Sequence, residues 1–103
     1  MTLNGYQRIA HTFAVYKNNF YPKASLLVEA SELIDLFIKP ELRGDNKEIK
    51  REDIISEAGD VLWNLAAILS DNNIRLEEVA EYNVRKLSSR AKRNLIMGDG
   101  GDR

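Results

Sequence analysis

"VEASELIDL", residues 28–36, and "EAGDVLWNL", residues 57–65, decide how this chain is read. Each sets two acids three residues apart inside a run of apolar side chains. Apolar residues that recur every three or four positions mark one face of a helix. Take Leu26 as the angular origin. At about 100° per residue, Leu33, Phe37, Leu27 and Ile34 fall between roughly 340° and roughly 100°, with Leu36 at about 280°. Glu29 then lies at about 300°, inside the edge of the stripe, and Glu32 at about 240°. With Ile54 as origin, Ile55, Val61, Leu62, Leu65, Ile68 and Leu69 fill roughly 320° to roughly 100°. Glu57 and Asp60 again land at about 300° and about 240°. The two helices match position for position, Leu26 on Ile54, Glu29 on Glu57 and Glu32 on Asp60. Packed antiparallel, they bring four carboxylates to one edge of a core.

The rest of the chain reads as helix on either side of this pair. Helices are expected from about Leu3 to Asn19, Pro22 to Ile38, Lys47 to Ser70 and Arg75 or Leu76 to Asn94. The two prolines, Pro22 and Pro40, suit helix boundaries. "DNN" at 71–73 breaks the pattern, and "MGDGGDR" at 97–103 leaves it. No stretch alternates as a strand does. The expected fold is therefore all-α, a four-helix bundle-like protomer that assembles through helix packing. A single domain over residues 1–103 is expected, with 94–103 as a glycine-rich tail. A chain of 103 residues buries a modest core, so self-association would help it.

Composition narrows the function. Fifteen Lys and Arg against 16 Asp and Glu give a net charge of −1. A binder of nucleic-acid polymers carries a clear basic excess, and none is present. With no cysteine there is no disulfide, thiolate metal site or Cys nucleophile. His11 is the one histidine. No apolar run approaches the roughly 20 residues of a membrane span, and the first residues lack a signal-peptide pattern. A cytoplasmic protein is expected.

Four carboxylates in a small volume repel one another and resist desolvation. A cation must offset this. Mg²⁺ takes oxygen ligands and is commonly held together with substrate phosphates; Mn²⁺ is a possible substitute. Zinc without His or Cys is a poor match. A di-iron bundle needs two Glu-x-x-His motifs, which this chain lacks. The bland alternative is solvated acids on amphipathic helices. It suits a lone E-x-x-E better than two pairs at matching angles.

On the fourth helix Asn83 sits within the apolar stripe, with Lys86 and Arg90 beside it. A buried Asn needs hydrogen-bond partners, and Lys and Arg suit phosphate oxygens. Trp63 lies opposite the main stripe of its helix, which makes it a candidate for base stacking or for a subunit interface. Core packing is the expectation for Phe13.

The acid pairs stand in "VEASE" at 28–32 and "EAGD" at 57–60, with positions 33–56 between them. With "NVRKLSSR" at 83–90 and the closing "GDGGDR", they resemble the MazG-type nucleotide pyrophosphohydrolases of the all-α NTP pyrophosphatase superfamily. The family motif is E-E-x-x-E followed by E-x-x-D. Val28 stands where the first Glu would be. The resemblance implies metal ligation and catalysis by Glu29, Glu32, Glu57 and Asp60. It implies that Asn83 and Lys86 face the nucleotide. Arg90 would meet phosphate or pair with acids of another helix. Arg103 would reach phosphate or end a frayed terminus. The implied reaction cleaves a nucleoside triphosphate between the α and β phosphates, with Mg²⁺, in a homo-oligomer, a tetramer rather than a dimer. The implied role is removal of non-standard or surplus deoxynucleotides. Two other readings stand beside it: a non-catalytic helical interaction module, and a phosphoribosyl-ATP or dUTP-type pyrophosphohydrolase of the same superfamily.

Overall fold

The computed structural model describes residues 1–45 and 47–97, the last three as backbone. Four helices follow one another: α1, Leu3–His11; α2, Phe20–Arg43; α3, Arg51–Asp71; and α4, Leu76–Met97. Among the described residues there is no strand. The all-α expectation holds, and several boundaries move.

Helix α1 starts where the Thr2 hydroxyl accepts the Gly5 N–H at 2.9 Å, satisfying one orphan donor of the first turn. It stops at His11, well short of the expected Asn19. The backbone tightens there: the N–H groups of Thr12, Phe13 and Ala14 bond three residues back to Ile9, Ala10 and His11. Thr12 adds a 2.6 Å hydroxyl bond to the Ile9 carbonyl. The Ala10 carbonyl also takes the indole N–H of Trp63 at 3.1 Å. This tertiary bond and the Thr12 back-bond replace the next helical turn. Phe13, expected in the core, falls in the released segment and is exposed.

Helix α2 begins before Pro22, which sits in the first turn, where its missing N–H is no loss. Pro22 is the largest fully buried side chain. The helix passes through Pro40 and runs to Arg43, beyond the expected end at Ile38. Pro40 removes only the bond to the Leu36 carbonyl. The stop comes at Gly44, in the left-handed region at φ 70°. There Gly44 N–H meets the Glu41 carbonyl at 3.2 Å, and Asp45 N–H meets that of Pro40 at 2.9 Å. This paired closure favours glycine, which has no Cβ to clash. Helix α3 begins at Arg51, with Glu52 and Asp53 against the positive end of its dipole. Helix α4 reaches Met97, past the expected Asn94.

The α2–α3 pair makes the main packing, α1 lies on α3, and α4 leans on α1. The helices do not close into a compact bundle. The radius of gyration is 17.4 Å, against about 13 Å for a compact chain of this length. The fully buried apolar side chains are few and small, chiefly Ala10, Ala66, Ala67 and Leu76. Leu27, Ile34 and Phe37, expected to face the core, are exposed, as are Ile55, Val84 and Leu87. The stripe on α2 is wider than α3 can cover: the Leu26, Leu33 and Leu36 side is half-buried, and the Leu27 and Ile34 side is open.

Candidate functional site

Glu29 occupies the middle of the α2 side that is packed, on the same face as Leu26, Leu33 and Leu36. Glu57 occupies the matching position on α3. Both are half-buried. Carboxylate oxygens of Glu29, Glu57 and Asp60 all lie within 4.8 Å of one another, close enough to share one cation. Asp60 is exposed and forms the open side of this group. Glu32 is also exposed. It lies outside the tight triad, yet its charge acts on both Glu29 and Glu57.

Among the described residues, one oxygen of Glu29 and one of Glu57 are buried with no hydrogen-bond partner. Two shielded, unpaired carboxylate oxygens facing a third acid are costly, and a hard divalent cation is what such a donor set fits. The titration of the site agrees with this geometry. Burial, followed by the charges of Glu32, Asp60 and Glu57, raises Glu29 above the usual carboxylate range. Burial, followed by Glu32, Asp60 and Asp53, does the same to Glu57.

Raised carboxyls set the sign of a pH effect. Above the ordinary value of 4.5 the folded chain still holds protons that the unfolded chain has released. Their contribution to stability is therefore lost as pH rises through the raised values. The metal-free chain is expected to melt at progressively lower temperature as pH climbs from that value towards neutral. Saturating Mg²⁺ should flatten the trend. Melting curves with Mg²⁺ or with chelator check this. A metal-free melting temperature that does not fall over this interval would contradict the crowding of the acids.

Sequence reading misses Asn64. It is buried, one turn beyond Asp60 on α3, and its amide N–H₂ donates to the Asp60 carbonyl at 2.9 Å. Its side-chain oxygen is buried without a partner. The helical angle of Asn64, about 280°, is close to that of Glu57. That angle is the available signal, masked because Asn64 stands as one polar residue among apolar ones.

The remaining predicted residues are not gathered with the acids in this chain. Asn83 and Lys86 are exposed on α4 and Arg90 is half-buried. The stripe on α4 predicts a buried Asn83; it is open because α4 packs chiefly on α1 and its Val84 and Leu87 are uncovered too. Among the described residues no ion pair links Lys86 or Arg90 to an acid of the site. Trp63 faces α1: besides its bond to Ala10, its ring meets Tyr16 edge-on at 6.3 Å. The side of α3 opposite the main stripe is thus an internal face, lined by Trp63 with Ala66 and Ala67. Arg103 lies outside the described residues.

Among the described residues no helix is long and apolar enough to cross a membrane. No solved structure matches the chain. The Gene 37 protein of Mycobacterium phage L5 is 34% identical over 86 residues, spanning 81% of this chain and 75% of that one. The profile of the MazG nucleotide pyrophosphohydrolase domain matches residues 22–95, the segment that carries all four acids and the basic face of α4. A helical pair with its acids crowded at the seam, inside that match, places the chain in the MazG nucleotide pyrophosphohydrolase family.

Proposed function

We propose that this chain is a Mg²⁺-dependent pyrophosphohydrolase that cleaves a nucleoside or deoxynucleoside triphosphate between the α and β phosphates. The products are the nucleoside monophosphate and pyrophosphate. The observation that carries the reading is the triad of Glu29, Glu57 and Asp60, with two buried oxygens lacking any partner. Glu29, Glu57 and Asp60 would hold the metal, and Glu32 would complete the shell from the exposed side. When bound, Mg²⁺ supplies charge neutralisation at phosphate oxygens and a more acidic water. One of these carboxylates takes the proton of the attacking water as general base. Lys86 and Arg90 would set positive charge against the phosphates, with Asn83 beside them as a hydrogen-bonding partner for the nucleotide. In the single chain α4 stands apart from the acids, so these contacts call for an assembled form.

The open apolar faces of α2 and α4 support a homo-oligomer; that it is a tetramer and not a dimer rests on the family likeness alone. Trp63 keeps a substrate role only if its ring is also reached from the nucleotide side, and Arg103 would close over a neighbouring site. We place the protein in the cytoplasm as one domain, acting on non-standard or surplus deoxynucleotides; Mn²⁺ would substitute for Mg²⁺.

The test is pyrophosphate release from a panel of standard and modified NTPs and dNTPs, with Mg²⁺ and with chelator. Metal-dependent release of pyrophosphate together with the monophosphate is expected. Release of single phosphate would replace the α–β assignment. A folded oligomer that releases nothing from any nucleotide would favour the interaction module.

A further inference from the structure

A second cleft lies away from the acids, where the end of α3 turns into α4 beneath α1. It has a volume of about 580 Å³, and its lining includes Asn4, Arg8, His11, Ser70, Ile74 and Arg75. That volume lies within the range of small-molecule sites. No acid lines it. Two arginines, Arg8 and Arg75, therefore line one cleft in a chain whose net charge is −1. Among the described residues, neither Arg8 nor Arg75 forms an ion pair. Asp71, next to Ser70 in sequence, is not a lining residue; both its oxygens lie within hydrogen-bond reach of the Tyr16 hydroxyl, at 2.9 and 2.8 Å.

The polar groups of the lining add donors. Asn4 uses its side-chain oxygen to accept the Glu77 N–H at 3.1 Å, which leaves its amide hydrogens free. Ser70 accepts from Gln7 at 3.2 Å and keeps its hydroxyl hydrogen. Gln7 is fully used by the fold. The start of α4 is itself already capped by Gln7 and Asn4, so the recognition rests on side chains and not on the helix end. Ile74 and the His11 ring give the cleft an apolar and a planar wall.

We propose that this cleft binds a phosphate-bearing small molecule of about nucleotide size, held by Arg8 and Arg75 as a pair of guanidinium forks. Such forks match phosphate oxygens two at a time, and two of them favour a dianion over a singly charged ligand. Ser70 and Asn4 donate to the remaining oxygens. The site does not depend on the pyrophosphohydrolase reading, because none of its residues belongs to the acid triad.

Calorimetric titration without divalent metal tests this, since the unneutralised acids then repel anions from the other site. The probes are inorganic pyrophosphate and a nucleoside monophosphate, with citrate as a carboxylate control. Wild type is expected to bind a phosphate probe more tightly than citrate. Arg8→Ala with Arg75→Ala should weaken that binding at least about tenfold, as loss of charged hydrogen bonds predicts. Glu57→Gln should leave it unchanged. Both arginines are exposed, so the double variant is expected to keep its helical circular dichroism. If it does not fold, Arg8→Lys with Arg75→Lys takes its place and should show weakened binding, because Lys loses the fork. No binding by wild type, equal binding of citrate, unchanged affinity in the arginine variants, or loss in Glu57→Gln would each overturn the assignment.

Discussion

Glu57→Gln is expected to abolish pyrophosphate release while making the metal-free chain more stable. The activity loss should reach at least about a hundredfold, since even groups that only support a metal ligand cost tenfold to a hundredfold. The stability gain follows from what Glu57 endures when no cation is present. Its buried oxygen has no partner, and it is crowded by Glu32, Asp60 and Asp53. A neutral amide removes a charge from that group and can donate to the unpartnered oxygen of Glu29. Pyrophosphate assays and melting curves on the same preparation check both halves. Reduced stability together with lost activity would show that Glu57 serves the fold. Retained activity would remove it from the metal site.

Gln7→Leu is expected to give the largest loss of stability, about 2–4 kcal/mol, the cost of leaving the buried Leu76 N–H and the part-buried Ile74 carbonyl without their partner. Gln7 is only 7% exposed. Its amide donates to the Ile74 carbonyl at 2.9 Å, and its oxygen accepts the Leu76 N–H at 2.7 Å. A leucine of similar length fills the space and satisfies neither. On a domain of this size the melting temperature should fall by about 10–20 °C. For Gln7→Leu, a change within about 0.5 kcal/mol, the span of an ordinary surface substitution, would show that α4 is held by something else.

The parts of the fold legible from sequence were those set by local periodicity. The repeated acid pairs placed Glu29 and Glu57 at the α2–α3 seam, because equal helical angles on two packed helices must converge. The "DNN" break held because Asn73 tolerates the left-handed backbone it adopts at φ 58°. What failed was decided by tertiary contacts. Helix α1 ends early for a bond between Trp63 and the Ala10 carbonyl, which lies far from it in sequence. The packing of Trp63 on α1 was hidden because its angle says only that it avoids the Leu and Ile stripe, and not that a short helix covers the other side. Pro40 reads as a terminator, yet a proline costs a helix one carbonyl bond and the paired closure at Gly44 lies one turn on. The exposure of Asn83 was invisible because an amphipathic stripe reports the wish to be covered, and α4 has only α1 against it. The cleft at Arg8 and Arg75 joins residues from distant parts of the chain, so no spacing could announce it.

Trp63 has one more consequence. It is the sole tryptophan, and its indole N–H is tied to the last turn of α1 while its ring leans on Tyr16. The protein therefore carries its own optical gauge. Its emission reads whether α1 is seated on α3, and since α4 is fastened to α1 through Gln7 and Asn4, the same signal follows the arm that bears Lys86 and Arg90. Undocking wets the indole and shifts its emission to the red, with no label attached and no acid of the α2–α3 seam disturbed.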